Sequence, residues 1–270
     1  TVVCTLFLGF SIVSEHTMTI EYRQFTPAEQ RHFRAAIERG FGIHYEPDHN
    51  TYQIDLKLFT PEMSMGAFDG EEIVGTSGAI AFESAVPGGV IVKNAGVTGV
   101  TVATTHRRQG ILTNMMKRLL LQERDKGNIV ASLWASESVI YGRYGYGMSI
   151  QHENIKIDTS QVVIKKLPEI PGKIRFVNQD EARKVFPEAW EAAVNSHVGI
   201  PRQAELSWDR MFMDSDSHDG WSKPWRVVYE EDDRALGFAI YMLKELHVFG
   251  EQTHGLVNAD LGMHSNAASH

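Results

Sequence analysis

The chain predicts an α/β protein built on a mixed sheet, and three observations carry that reading. Apolar and polar residues alternate through Ile20 and Tyr22, and apolar runs flank Asp69-Gly70, the period-2 pattern and turn pair of half-buried hairpin strands. Leu112, Met115, Met116, Leu119 and Leu120 share one helical face, with Lys117, Arg118, Gln122 and Arg124 elsewhere. The short apolar run Ile129 to Ala135 follows, so strand, helix and strand come in the order of a right-handed parallel crossover.

The elements follow in order. Residues 1–17 include an apolar stretch, Val2 to Val13, with no preceding basic residue and no small-residue cleavage pattern. It is too short to span a bilayer as a helix and reads as an upstream extension. Met18 opens the first strand. Thr26-Pro27-Ala28-Glu29 joins a capping box to a proline at the first helical position, and that helix runs towards Gly40 as its left-handed stop. A second helix is expected between Pro47 and Phe59. Met65 to Phe68 and Ile73 to Phe82 are the hairpin arms; Pro87-Gly88-Gly89 turns into another strand, and Val97 to Val102 forms the next. The amphipathic helix starts after Gly110 and stops at Gly127, and Ile129 to Ala135 is expected as a central strand.

After a strand near Asn154 to Asp158, Pro168 and Pro171-Gly172 mark a boundary. The same order then returns: a strand from Ile174 to Val177, a helix capped by Asp180, and a helix over Trp208 to Phe212. A hairpin of Trp225–Tyr229 and Ala235–Leu243 closes it, around four acidic residues from Glu230 to Asp233. The expected organisation is a first domain over 18–158, a degenerate second copy over 172–246 without the basic glycine turn and its helix, and an irregular tail over 247–270.

Charge and cysteine usage bound the function. A formal charge of -8 disfavours nucleic acid and anionic membranes as partners. It suits a cationic small substrate or simply a solvated acidic surface. Cys4 is the only cysteine, which excludes an intrachain disulfide and fits a reducing cytoplasm. The 12 histidines form no HExxH or compact ligand set, so no metal is expected.

The chemistry concentrates between Gly96 and Gly147. His106-Arg107-Arg108-Gln109-Gly110-Ile111-Leu112 sits between a β-branched strand and the amphipathic helix. A glycine there lets backbone approach phosphate, free N–H groups at the helix start face it, and arginine adds planar charge-assisted recognition. It is neither a Walker motif nor a Rossmann fingerprint. At Arg107 and Gly110 the chain resembles the GCN5-related N-acetyltransferases, whose turn reads [QR]-x-x-G-x-[GA]; Leu112 replaces the last small residue. The runs TVATTHRRQGIL, SLWASE and IYGRYGYG resemble the enhanced intracellular survival type of that family.

The resemblance implies an acetyl-CoA-dependent N-acyltransferase fold and direct acetyl transfer to an amine, either an aminoglycoside-like small molecule or a protein lysine. Val100, Thr101 and Val102 would offer backbone groups to the pantetheine arm. Arg108, Gln109, Gly110, Ile111, Leu112 and Thr113 would hold the pyrophosphate, and Ser136 and Glu137 would lie along the cofactor. Tyr141 would be the general acid, with Tyr144 and Tyr146 as neighbouring packing residues, and Ser136 has the alternative of a helix N-cap. Phe41 aligns with the substrate-pocket region or packs in the core. Full-length relatives are expected to be homo-oligomers with a third domain whose terminal carboxylate is the base, and this chain is expected to stop short of it. The alternative is a catalytically silent acyl-CoA-binding fragment or an interaction module of the same fold.

Overall fold

In the computed structural model the described residues are 19–44, 56, 57, 59–149, 171–213, 221–248 and 251–263. Residues 1–17, most of the helix expected over 47–59, the strand expected near 154–158 and Pro168 lie outside them.

The chain starts with β1 (Ile20–Arg23) and reaches α1 (Gln30–Phe41) through a 3₁₀ turn at Pro27–Glu29. The capping box forms as expected: the Thr26 N–H donates to Glu29 Oε2 at 2.8 Å, and Arg23 clamps the same carboxylate from the strand at 2.8 Å. That clamp holds Glu29 down at about 2, chiefly through the Arg23 hydrogen bonds. Gly40 does not stop α1. Gly42 does, at φ 73°, because a Cβ at Gly40 would overlap the Thr101 side chain and the glycine is used for close packing instead.

β2 (Gly66–Asp69) and β3 (Glu72–Ala85) form the expected hairpin, with Gly70 at φ 59°. The two strands expected after Pro87 are one continuous β4 (Ile91–Val102), since a bulge lets the backbone continue through the change of phase at Gly99. α2 (Ile111–Asp125) ends before Gly127 at φ 87°. β5 (Val130–Leu133) is shorter than expected and pairs parallel with β4. Among the described residues it lies at the end of the strand path β1-β2-β3-β4-β5 rather than in the middle.

Both faces of this sheet are covered. Met115, Met116 and Leu119 of α2 pack with Ala67, Val74, Ala79, Ala95 and Val97 on one face. Phe33, Ala36 and Ile37 of α1 pack with Phe25, Phe59, Phe68 and Ile73 on the other. Small residues sit where helices approach: a Cβ at Gly75 would fall 2.8 Å from Met115 Cε.

The second half has its own sheet, ordered β10-β9-β8-β6. β6 (Lys173–Phe176) leads into α3 (Gln179–Ser196), capped by Asn178 rather than Asp180: the Asn178 side chain accepts from the Glu181 N–H at 2.9 Å, and Asp180 sits in the first turn. β7 (Pro201–Arg202) leaves this unit to pair with β3. α4 (Glu205–Phe212) precedes β8 (Trp225–Glu231) and β9 (Arg234–Val248), which turn through left-handed Asp232 and Asp233. The tail expected to be irregular from 247 is instead β10 (Glu251–Met263), paired antiparallel with a lengthened β9. Val257, Ala259, Leu261 and Met263 alternate with other residues in the sequence, and a register shift between His254 and Leu256 hides that period from the strand before it.

Candidate active site

The site begins where two parallel strands part. β5 pairs with β4 from Asn94↔Val130 to Val97↔Leu133 and no further. β4 runs on to Val102, held from its other side by β3 through Thr76↔Thr101 and Gly75↔Val102. Among the described residues no strand lies on the β5 side of Thr98 to Val102, so backbone groups there are available to an extended ligand. The bulge sets side-chain direction along this edge. Gly99 takes φ 61°, its carbonyl accepts from the Thr76 hydroxyl at 2.7 Å, and that hydroxyl lies 2.8 Å from the Thr101 hydroxyl. Val100 and Val102 then pack on the α2 side, and Thr101 meets Gly40 of α1.

The expected anion turn follows at once. A 3₁₀ turn at Thr104–His106 leads to Arg108 at φ 63° and Gly110 at φ 79°. Gly110 is the helix N-cap and no side chain caps it, so the first N–H groups of α2 have no side-chain acceptor. Arg107, Arg108, Gln109 and Gly110 are exposed, while Ile111 is buried and Leu112 and Thr113 are half-buried. An uncapped helix start beside two left-handed residues and two arginines has the free donors and positive charge that suit an anion. A left-handed arginine costs about 1–2 kcal/mol, and the neighbouring residue pins the turn. His106 is buried, with Nδ1 2.8 Å from Thr105 Oγ1 and Nε2 3.4 Å from Asp69 Oδ2 at the end of β2. No local signal points to that clamp, because Asp69 reads only as a turn residue beside Gly70.

After β5, Ser136 and Glu137 are exposed and lead into a 3₁₀ segment, Ser138–Tyr144. Glu137 occupies its N-cap and no side chain caps it, so Ser136 is not a cap. The three tyrosines that follow pack against the α2 core cluster. Tyr144 Oη lies 3.2 Å from Thr113 Oγ1, tying the segment to the helix start. Tyr141 and Tyr146 meet edge to face, with centroids 5.9 Å apart and planes at 74°. Burial, then the nearby Tyr144, raises the Tyr141 phenol above its usual range. Burial pushes Tyr146 up to about 12, and its hydroxyl is shielded from solvent, with no hydrogen-bond partner among the described residues.

The structure thus brings the β4 edge, the turn and the tyrosine segment together on one side of the sheet. These groups suit an acyl-CoA: an edge for its amide-bearing arm, uncapped N–H groups and arginines for its phosphates, a phenol for its sulfur. Phe41 is 49% exposed at the end of α1, so it is not a core residue. Near it a cleft of about 200 Å³ opens between α1 and the ends of β3 and β4, lined by Arg39, Glu72, Thr101, Thr105 and Arg107. No group of three His, Cys, Asp or Glu side chains among the described residues is arranged to hold a metal ion. No described helix is long and apolar enough to cross a membrane.

The acetyltransferase (GNAT) domain pattern matches residues 21–149. Those residues belong to the GNAT acetyltransferases. An "Uncharacterized N-acetyltransferase" of Streptomyces avermitilis is 38% identical over 186 residues, 68% of this chain and 45% of that protein. The N-acetyltransferase Eis of Mycobacterium bovis is 31% identical over 182 residues, 65% of this chain and 44% of its own length. The crystal structure of Eis1 from Mycobacterium abscessus superimposes with a TM-score of 0.68 at 25% identity, covering 93% of this chain and 60% of that one. The chain spans about half the length of the curated relatives it matches. The GNAT assignment agrees with the mixed sheet, and with a turn that falls between β4 and α2.

Proposed function

We propose that this chain transfers an acetyl group from acetyl-CoA to an amine by direct attack, with Tyr141 as general acid. The observation that carries the reading is the parting of β4 and β5 directly upstream of an uncapped, arginine-flanked helix start. Val100, Thr101 and Val102 hold the pantetheine arm by its amides. The N–H groups from Arg108 to Thr113 hold the pyrophosphate, and Ser136 and Glu137 line the β5 side. The bound acyl-CoA supplies the activated acetyl group. Tyr141 keeps its proton at neutral pH, since burial raises it, and gives it to the thiolate as the carbon–sulfur bond breaks. The amine loses its proton to water. The acceptor reaches the acetyl carbon through the parted strands, and an aminoglycoside-like amine or a protein lysine both meet that requirement.

Calorimetric titration with acetyl-CoA, followed by a thiol-release assay with amine acceptors, tests the reading. Binding with turnover is expected. A chain that binds no acetyl-CoA would overturn the site, and one that binds without turnover would be the silent acyl-CoA-binding protein.

A further inference from the structure

In the proposed reading the phosphates sit at the Arg108–Thr113 turn and the arm runs back along Val102, Thr101 and Val100. Its thioester then comes to Thr98, the exposed first residue past the last β4–β5 pair, Val97↔Leu133. An acyl chain longer than acetyl must leave that vertex towards one face of the sheet. The α2 face is filled, because Val97, Val100, Leu133 and Tyr141 all pack with the core there. The other face is floored by a glycine: Ala95 and Val97 point to α2, so Gly96 between them points away. Glycine inside a strand often marks close approach by a ligand or another group, and here the approaching group is Phe82. A Cβ at Gly96 would overlap the Phe82 ring, which therefore reaches across from β3 and lies on Gly96, directly beneath the vertex. Phe82 is half-buried, so part of the ring is accessible. Below it the same face turns polar. Asn94 Nδ2 donates to Ser84 Oγ at 2.9 Å and Ser132 Oγ donates to Asn94 Oδ1 at 3.1 Å, a ladder that ties β3, β4 and β5 together under the ring.

We infer that the Phe82 ring sets the acyl length this site accepts, by closing the glycine floor at the vertex so that acetyl fits and a longer straight chain does not. The inference rests on the acetyltransferase reading above. A single methylene gained or lost in an apolar pocket is worth roughly 10–200-fold in discrimination, so one ring is enough to decide between short and longer acyl groups. With the ring gone, Gly96 offers no side chain to refill the space, and a linear chain can lie on the bared strand. Phe82 meets the acyl chain rather than the reacting atoms, so its part is specificity and not proton transfer.

The test titrates wild type, Phe82→Ala and Phe82→Leu with CoA, acetyl-CoA and hexanoyl-CoA by calorimetry, then compares thiol release from the two thioesters. Wild type is expected to bind acetyl-CoA more tightly than hexanoyl-CoA. Phe82→Ala should raise the affinity ratio of hexanoyl-CoA to acetyl-CoA roughly tenfold, and the kcat/KM ratio should move the same way. Phe82→Leu keeps more of the cover on Gly96 and should raise the ratio less; should alanine unfold the sheet, leucine alone decides. CoA has no acyl group, so its affinity reports the cofactor site in each variant. Wild-type ratios in the variants with CoA binding intact would make Phe82 a structural cover for Gly96 and overturn the inference alone. A wild type that binds hexanoyl-CoA as tightly as acetyl-CoA would do the same. Failure of wild type to bind CoA overturns the cofactor site and the inference with it.

Discussion

The two sheets of this protein share a plan and differ in what covers them. The order β1-β2-β3-β4 is matched by β6-β8-β9-β10, antiparallel throughout. Each opens with an arginine that reaches a glutamate six residues on, Arg23 to Glu29 and Arg175 to Glu181, across a capped strand-to-helix junction. Each then lays helices on one face. The first sheet goes on to α2 and β5, which bury its other face and create the parted strands. In the second sheet the matching face keeps Phe176 62% exposed, edge-on to Trp225. One plan is therefore a folded platform in both places, and only the first adds the glycine turn, the helix and the parallel strand that make up the candidate site.

If that contrast is right, substitutions in the added elements should act on chemistry and those in the shared plan on stability. The largest effect is expected at Tyr141: phenylalanine there should lower acetyl transfer by roughly 10²–10⁴-fold, the usual worth of a positioned proton donor, with acetyl-CoA affinity preserved. Tyr144→Phe is the comparison, and equal rates for the two variants would remove Tyr141 as the acid. Gly110→Asp comes next. It sets a carboxylate against the phosphates and a Cβ on a left-handed residue, costing about 3 kcal/mol of acetyl-CoA binding. Unchanged calorimetric affinity would mean the turn holds no phosphate.

The open face of the second sheet should act through association. Apolar Ile174, Phe176 and Trp225 are exposed together on it, and such a patch favours self-association. Sedimentation velocity should find wild type associating with rising concentration and Phe176→Asp much less so, with acetyl-CoA binding intact. Identical profiles would acquit that face.

The smallest effect belongs to the shared junction. Glu29 has its pKa lowered from 4.5 to about 2, first by the Arg23 hydrogen bonds. A lowered carboxylate stabilises above its unfolded pKa, and the contribution fades as pH falls through the folded value. The window is thus from about 4.5 down to about 2. Discounted for solvent screening, Glu29→Gln should cost about 1 kcal/mol at neutral pH and flatten the acid loss across that window. Urea melts at both ends of the window would detect it; parallel acid profiles would show the clamp contributes nothing.

Local chemistry made much of this legible in the sequence. The capping box at Thr26, the Asp69-Gly70 hairpin, the turn at Gly110 and the apolar face of α2 each depend on residues close in the chain. What stayed hidden depends on distant partners. Gly40 looks like a helix stop until Thr101 is known to lie beneath it. The bulge at Gly99 breaks the alternation that would have joined two strands into β4, and the register shift after His254 does the same for β10. The His106–Asp69 clamp and the Tyr144–Thr113 contact join residues 37 and 31 positions apart. The motif points to Tyr141, whereas the packing of Tyr146 against it is visible only in the fold.

The short strand β7 joins the two halves in a way their separate cores do not suggest. Pro201 and Arg202 extend the first sheet along β3, the Gly199 N–H donates to the Ala85 carbonyl at 2.9 Å, and Arg202 grips Glu83 at 2.7 Å and Glu191 at 2.9 Å. A pull on the second half would travel along that splice into the strand that also supports β4. Loosening it bares a raw edge of β3, so fraying of one half is transmitted to the strand that pairs with β4. The second half then serves as a brace for the first.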